Sequence, residues 1–359
     1  MSSGLLPEGL RDRLPPQAEA ASRLMHRIVV AIGRHGYARV QPPLAEFEDE
    51  LVGRLKSARA QDLLRFVDPV SQRTLALRPD LTGQIGRIAA TRLANAARPL
   101  RLAYGGPVLK LRATQLRPER EMMQAGAELI GSDSVAAVIE VLRVAIEALE
   151  VTGLAHISID LTLPDLIETL GGGGEIAALL DAKDAGGLAA IGAHDYLPYI
   201  AAAGPIGPAL DALRAIGGKA VASRIDALEC IRTALGDRVA LTLDPTERHG
   251  FEYQSWIGFS LFGGGLNGEV GRGGSYTIVH PGGREEPATG FSLYLDPLVD
   301  AGLGTRDVRR AFVPLNGDTE AAAELRVQGW ITIAALTEAD DAHALGCTHR
   351  LEGGEAVAL

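Results

Sequence analysis

A chain of 359 residues, 47% apolar and 22% charged, can bury more than one core and is too apolar to stay disordered. Its 35 basic and 45 acidic side chains leave a formal net charge of −10 with no long Lys/Arg block, which argues against a nucleic-acid partner, because phosphate neutralisation supplies most of that affinity. Two cysteines, Cys230 and Cys347, stand far apart without metal-ligand spacing, so free thiols in a reducing compartment are expected, and neither metal nor cofactor is.

The opening residues, MSSGLLPEGL, lack a basic segment followed by an apolar run, and no uninterrupted apolar stretch approaches the roughly twenty residues that span a bilayer. A cytoplasmic protein without membrane contact is expected. Residues 5–16 are turn-rich. Gln17 to Gly36 has helical spacing, with Leu24, Ile28 and Ala31 on one stripe. Tyr37 to Phe47 reads as a strand broken at Pro42 and Pro43. Residues 62–78 read as a hairpin that turns at Pro69, Val70 and Ser71. A helix should then begin near Thr82, with Asp80 or Thr82 as its capping oxygen.

The stretch from Tyr104 to Gly131 is the most informative. An apolar run from Pro107 to Leu111, a charged loop from Arg112 to Glu121 and an alternating run from Met122 to Ile130 predict an antiparallel hairpin with a long loop. On its second strand Met123, Ala125, Ala127 and Leu129 share an apolar face. Gln124, Gly126 and Glu128 share the other. A solvated face is the ordinary meaning of such alternation. The sharper one is a site for a small zwitterion, since the carboxylate takes a donor and the amide takes either partner.

Ser132 to Val151 predicts an amphipathic helix capped at its Ser-x-Ser start, and His156 to Leu163 a strand. The composition then shifts to Ala, Gly and Leu, and residues 166–236 read as a helical insertion. Its glycine run, Gly171 to Gly174, lacks the Lys-Ser/Thr of a phosphate loop and serves as a link. Val239 to Leu243 resumes strand character. At the end of the chain, RAFVPLN, EAAAELRVQG and WITIAAL suggest a β-α-β remnant, with GEAVAL as one more strand.

A series of motifs resembles, in family order, those of class II aminoacyl-tRNA synthetases in the form found in histidyl-tRNA synthetase. The first helix and the strand with Pro43 resemble motif 1, which implies a homodimer contact. LRPDLT resembles LRPEGT, whose acid and threonine hold the amino group of the bound amino acid; this implies Asp80 and Thr82 in that role, the acid being one methylene shorter. The hairpin resembles motif 2 and keeps its Gly106, Pro107, Gln124, Gly126 and Glu128. ERHGFEYQ resembles RGLDYY: Gly250, Phe251, Glu252 and Tyr253 follow it in type, His249 takes the arginine position with Arg248 adjacent, and Gln254 takes the second tyrosine. GRGGSYT resembles the GGRYD turn through Gly273, Gly274 and Tyr276, and ATGFSLYLDPLV resembles motif 3 through Gly290, Phe291 and Leu295.

The resemblance implies an α+β fold. A class II synthetase-like antiparallel sheet flanked by helices would occupy residues 1–165 and 237–302, with the helical insertion at 166–236 and a short, truncated α/β segment at 303–359. It also implies a histidine-binding cleft made by Asp80, Thr82, Gln124, Glu128, Tyr253 and Tyr276. The nucleotide side departs from the pattern. The arginine that grips the ATP α-phosphate falls on Lys110, the acid two residues on falls on Arg112, and the motif 3 arginine falls on Pro297, which has neither charge nor N–H. Losses of this kind cost orders of magnitude in rate, so no adenylation and no catalytic residue are expected. A chain that keeps the amino-acid side of the cleft and lacks room for an anticodon-binding domain is similar to one family of synthetase paralogues, the regulatory subunits of ATP phosphoribosyltransferase. That similarity implies assembly with the short-form catalytic subunit in the first step of histidine biosynthesis, histidine as a feedback effector, and no tRNA. The alternatives are an amino-acid adenylating enzyme and a structural partner with a dead pocket. Pyrophosphate exchange and histidine binding separate them.

Overall fold

A computed structural model describes residues 5–52, 63–111, 119–248 and 254–359. The chain divides into two units, Met1–Gly304 and Thr305–Leu359.

The first unit starts with α1 (Gln17–Gly33), in which Ala20, Leu24, Ile28 and Ile32 recur every fourth residue and are wholly buried. It ends at Gly33, the first of the two glycines that bracket the predicted end, and Gly36 adopts φ +82 in a turn closed by its N–H on the Gly33 carbonyl at 3.1 Å. Next come β1 (Ala38–Arg39), β2 (Ala45–Phe47), α2 (Glu48–Val52), β3 (Leu64–Val67), β4 (Thr74–Leu77) and α3 (Thr82–Ala90). The predicted hairpin at 62–78 is the β3–β4 pair, which β2 extends to a three-stranded sheet in the order β2-β4-β3. The long hairpin follows as β5 (Leu100–Leu109) and β6 (Glu121–Ile130), then α4 (Val135–Glu150) and β7 (Ser158–Thr162). Ser134 caps α4 as the Ser-x-Ser signal predicts, its hydroxyl accepting from the Ala137 N–H at 3.3 Å.

The insertion is helical: α5 (Leu166–Thr169), α6 (Gly174–Asp181), α7 (Ala185–Ala190), α8 (Leu197–Ala201), the two-residue β8 (Gly204–Pro205), α9 (Ile206–Ile216) and α10 (Ala222–Leu235). The chain then returns through β9 (Ala240–Asp244), β10 (Gln254–Phe262), β11 (Gly271–Val279), β12 (Glu285–Tyr294) and α11 (Leu295–Asp300). One sheet of nine strands organises this unit, in the order β1-β5-β6-β12-β11-β10-β7-β9-β8. Its centre, from β5 to β7, is antiparallel throughout. The two parallel pairs, β1–β5 and β7–β9, lie outside that centre.

Both faces of the sheet are covered. Ala125, Ala127 and Leu129 of β6, with Phe259, Leu261, Phe291 and Leu293, pack under α1 and α4 in the main core. On the opposite face Tyr104, Ile130, Tyr276, Ile278 and Ala288 form a second cluster with Leu81, Ile85 and Ala89 around α3. The predicted alternation of β6 therefore holds, but its polar face is not solvated: Gln124 and Glu128 are each 1% exposed. Covering that face turns a strand pattern into a buried polar site.

The second unit is a four-stranded sheet in the order β14-β13-β15-β16, built from β13 (Arg310–Val313), α12 (Thr319–Val327), β14 (Ile331–Ala334), β15 (His349–Glu352) and β16 (Glu355–Ala358). Asp318 caps α12, accepting from the N–H groups of Glu320 and Ala321. The tail contributes two strands where one was expected. Gly353 and Gly354 both take positive φ, +57 and +89, which closes a two-residue hairpin and lets His349–Glu352 pair with Glu355–Ala358. Among the described residues, no helix is long and apolar enough to cross a membrane.

Candidate functional site

The polar face of the sheet is set by strand register. Glu128 of β6 lies beside Gly290 of β12, Gly290 beside Gly274 of β11, and Gly274 beside Gly258 of β10. This row of glycines presents bare backbone next to a carboxylate. One rank over, Gly126 pairs with Tyr104 and Ser292, and beyond it Gln124 pairs with Gly106 and Tyr294.

Five of the six sequence-predicted residues, Asp80, Thr82, Gln124, Glu128 and Tyr276, are brought together in one network. The Asp80 carboxylate accepts from the Thr82 N–H at 2.6 Å and from Gln124 Nε2 at 2.7 Å. The N-cap position of α3 is Leu81, without a side-chain cap, and Asp80 just before it accepts from the first helical N–H and from the amide together. Gln124 Oε1 accepts from the Leu81 N–H at 3.1 Å, and its Nε2 also donates to Ser292 Oγ at 2.5 Å. Glu128 accepts from two phenols, Tyr104 Oη donating to Oε1 at 3.0 Å and Tyr276 Oη to Oε2 at 2.8 Å, and the Thr82 hydroxyl also bonds to it. Thr82 Oγ1 lies 3.5 Å from Tyr104 Oη. The sixth residue, Tyr253, and the neighbouring His249 lie outside the described residues, as does Arg112.

Tyr104 is the residue that motif comparison missed. Its ring crosses β6 over Gly126, where any Cβ would collide with the phenol, and its hydroxyl reaches Glu128, Ser292 Oγ at 2.9 Å and the Phe291 carbonyl at 3.2 Å. The gap that the sequence leaves at Gly126 is therefore filled by Tyr104. A signal was present: Tyr104 stands two residues before Gly106, on the strand face that meets Gln124 and Glu128. Arg78, within the LRPDLT motif, was also missed. It is 5% exposed and holds the carbonyls of Pro42 at 3.1 Å and Pro107 at 2.8 Å, with its guanidinium against Gly106.

The electrostatics single out Glu128. No Lys, Arg or His among the described residues pairs with it. Burial raises its pKa to about 8; the tyrosine hydroxyls lower it only in part, and the nearby Asp80 charge adds to the rise. The Tyr104 phenol is pushed well above its ordinary value, chiefly by burial and then by the Glu128 charge. The cavity bounded by Glu128, Thr82, Tyr276, Gln254 and Arg272 measures about 10 Å³, room for a single water. Arg272 is turned onto Glu269, with Nε–Oε1 at 3.0 Å.

On the nucleotide side, Pro297 sits in the first turn of α11. The adjacent Asp296 is buried, accepts from the Met123 N–H at 2.8 Å and pairs with Arg13. No cluster of three or more metal-ligating side chains occurs among the described residues.

Comparison with known proteins bears on the family and the fold. The histidyl-tRNA synthetase family profile matches residues 9–298. An ATP phosphoribosyltransferase regulatory subunit from Rhodospirillum centenum is 42% identical over 98% of this chain and 96% of its own length. That from Paramagnetospirillum magneticum is 43% identical over 97% of this chain and 96% of its own. A solved ATP phosphoribosyltransferase regulatory subunit/histidyl-tRNA synthetase from Bacillus halodurans superposes with a TM-score of 0.79 at 24% identity, covering 96% of both chains. Histidyl-tRNA synthetase from Nostoc sp. gives 0.76 at 15% identity, over 97% of this chain and 90% of that one. These last two likenesses show the class II synthetase-like fold.

Proposed function

The chain belongs to the family of ATP phosphoribosyltransferase regulatory subunits, and from that membership we propose that its synthetase-like cleft is a histidine receptor and not a site of adenylation. It serves as a regulatory subunit in histidine biosynthesis, with the catalytic subunit of ATP phosphoribosyltransferase as its partner.

The observation that carries the receptor reading is the carboxyl group of Glu128. A buried acid with no cation beside it is costly to keep, because burial disfavours the charge and two phenols compensate only in part. A glutamine of the same shape would fill that position without the penalty. The acid gains its use when a ligand brings a donor, and the imidazole of histidine supplies one. In this arrangement the ring N–H donates to Glu128 beside Tyr276. Asp80, Thr82 and Gln124 face the amino and carboxylate groups, and Tyr253 joins them by its place in the motif. Feedback follows when histidine binds one state of the assembly better than another; a coupling of about 1–3 kcal/mol suffices and is reciprocal.

Adenylation is disfavoured by what stands on the nucleotide side, where Pro297 offers neither a charge nor a donor. The net charge of −10 disfavours tRNA. The α1 helix and the Pro43 segment that follows it are the proposed homodimer contact, and the cytoplasm is the proposed setting. The small volume of the cavity, about 10 Å³, favours one rival, a structural partner whose pocket takes no ligand. Calorimetric titration of histidine into the complex with the catalytic subunit separates the two. Binding that Glu128→Gln abolishes supports the receptor; no binding by the unaltered complex supports the structural partner. Histidine-dependent pyrophosphate–ATP exchange by this chain alone would reinstate an enzyme.

A further inference from the structure

Two glycines form the floor beside Glu128, and both are occupied. A Cβ at Gly290 would overlap the Glu128 carboxylate, so that carboxylate lies directly on Gly290. A Cβ at Gly274 would meet Gln254 Cδ and Oε1 at 2.6 Å, so the Gln254 amide lies directly on Gly274. Gly274 and Gly290 are neighbours across β11 and β12, so the two side chains cover adjacent squares of one floor. This is why so little space remains between Glu128 and Tyr276.

The two occupants are held very differently. Glu128 projects from the middle of β6, a strand paired on both sides. Gln254 is the first residue of β10, and the pairing of β10 with β11 slips between Gln254 and Gly258: four residues on β10 span the two from Tyr276 to Gly274. An irregularity of this kind re-aims side chains and loosens the ladder. Among the described residues the Gln254 amide makes one bond, from Nε2 to the Gly273 carbonyl at 2.7 Å. That bond fixes which way the amide points, since the reversed amide would set two oxygens against each other. Its Oε1 is buried and has no hydrogen-bond partner among the described residues. A buried acceptor without a donor is costly, so this position is an unfavourable one for the side chain to hold.

We infer that Gln254 is the stopper of the Glu128 pocket. In the free protein its amide fills the place over Gly274 that a flat ring must take, and ligand enters as the side chain swings off the floor. The orphaned oxygen keeps the closed state shallow, so departure forfeits one hydrogen bond and relieves one unsatisfied group. The ligand class is a planar heterocycle with an N–H for Glu128, and the inference rests on histidine as the occupant of this pocket. The apparent dissociation constant then equals the intrinsic one divided by the fraction of molecules with the stopper out.

The test is calorimetric titration of histidine into the complex with the catalytic subunit, using the unaltered chain, Gln254→Ala and Gln254→Met, each first shown to melt cooperatively. Gln254→Ala removes the stopper and should tighten histidine binding about tenfold or more. Gln254→Met keeps the bulk and should stay within about threefold of the unaltered complex. Unaltered or weaker binding by Gln254→Ala, with the unaltered complex still binding histidine, overturns the stopper and leaves the receptor standing. Absence of binding in all three overturns both. Binding by Gln254→Ala alone supports the stopper and overturns the receptor, since the unaltered complex then takes no histidine.

Discussion

Tyr276 Oη donates to Glu128 Oε2 at 2.8 Å, joining the third strand of the site face to the buried acid on β6. The bond favours the carboxylate, yet burial outweighs it and the acid holds its proton to about pH 8. The unfolded chain releases that proton near the ordinary value of 4.5. Between these limits the native state binds more protons than the unfolded one, so stability falls as the pH rises from about 4.5 to about 8. Glu128→Gln should remove this slope and be the more stable protein at pH 8 by roughly 3–5 kcal/mol. Urea unfolding across the window measures it; parallel pH profiles for the two proteins would show that Glu128 is not the group responsible.

Tyr276→Phe removes one of the two phenol donors to Glu128. The acid's pKa should rise further, and the pH at which stability stops falling should move above about 8. At pH 8 the cost should be about 1–3 kcal/mol, as for a buried acceptor losing its partner. At pH 5 it should be smaller, since the acid is then neutral. An equal loss at both pH values would mark the change as one of packing alone.

Gly126→Ala places a methyl group in the ring of Tyr104 and against the Phe291 carbonyl. Neither neighbour can yield, because the phenol is wholly buried and the carbonyl belongs to the adjacent strand. A loss of about 2–3 kcal/mol is expected, together with weaker histidine binding as the Tyr104 hydroxyl leaves Glu128. A variant as stable as the parent would contradict the packing described.

A second buried acid behaves in the opposite way. Glu286 accepts from Arg98 Nε at 2.6 Å and lies 2.6 Å from His280 Nε2. Burial alone would raise its pKa, but the bonds to Arg98 and His280 and their charges bring it below the ordinary value. Its contribution to stability is present above the unfolded pKa and is lost as the pH falls through the folded one. Arg98→Ala should therefore cost about 3–5 kcal/mol at pH 7, by leaving a buried carboxylate short of its cation, and less at pH 4. Denaturant midpoints at the two pH values check the sign.

What sequence made legible, and what it did not, divides along physical lines. The alternation from Met122 to Ile130 placed Gln124 and Glu128 on one face because strand geometry leaves no other choice. The cap at Ser134 and the start of α3 followed from local chemistry in the same way. Tyr104 escaped because its role depends on a glycine 22 residues away that lets its ring pass, which is a property of register. Arg78 was hidden by its setting in the LRPDLT motif, where its neighbours drew notice and it alone binds backbone carbonyls from two distant segments. The burial of the polar face depends on α3 folding over it, and no pattern within β6 reports that.

The parallel pairing of β7 with β9 restricts how this chain can be trimmed. Ser158 stands opposite Ala240 and Thr162 opposite Asp244, so the segment between the strands must travel back along the full length of β7 before β9 begins. That return is roughly 16 Å at the usual rise of a strand, which a tight turn cannot cover. Residues 163–239 are therefore no detachable ornament, and a shortened protein has to keep one rigid span across the gap. The 14 residues of α10, about 21 Å long and seated on α4, are the strut to retain.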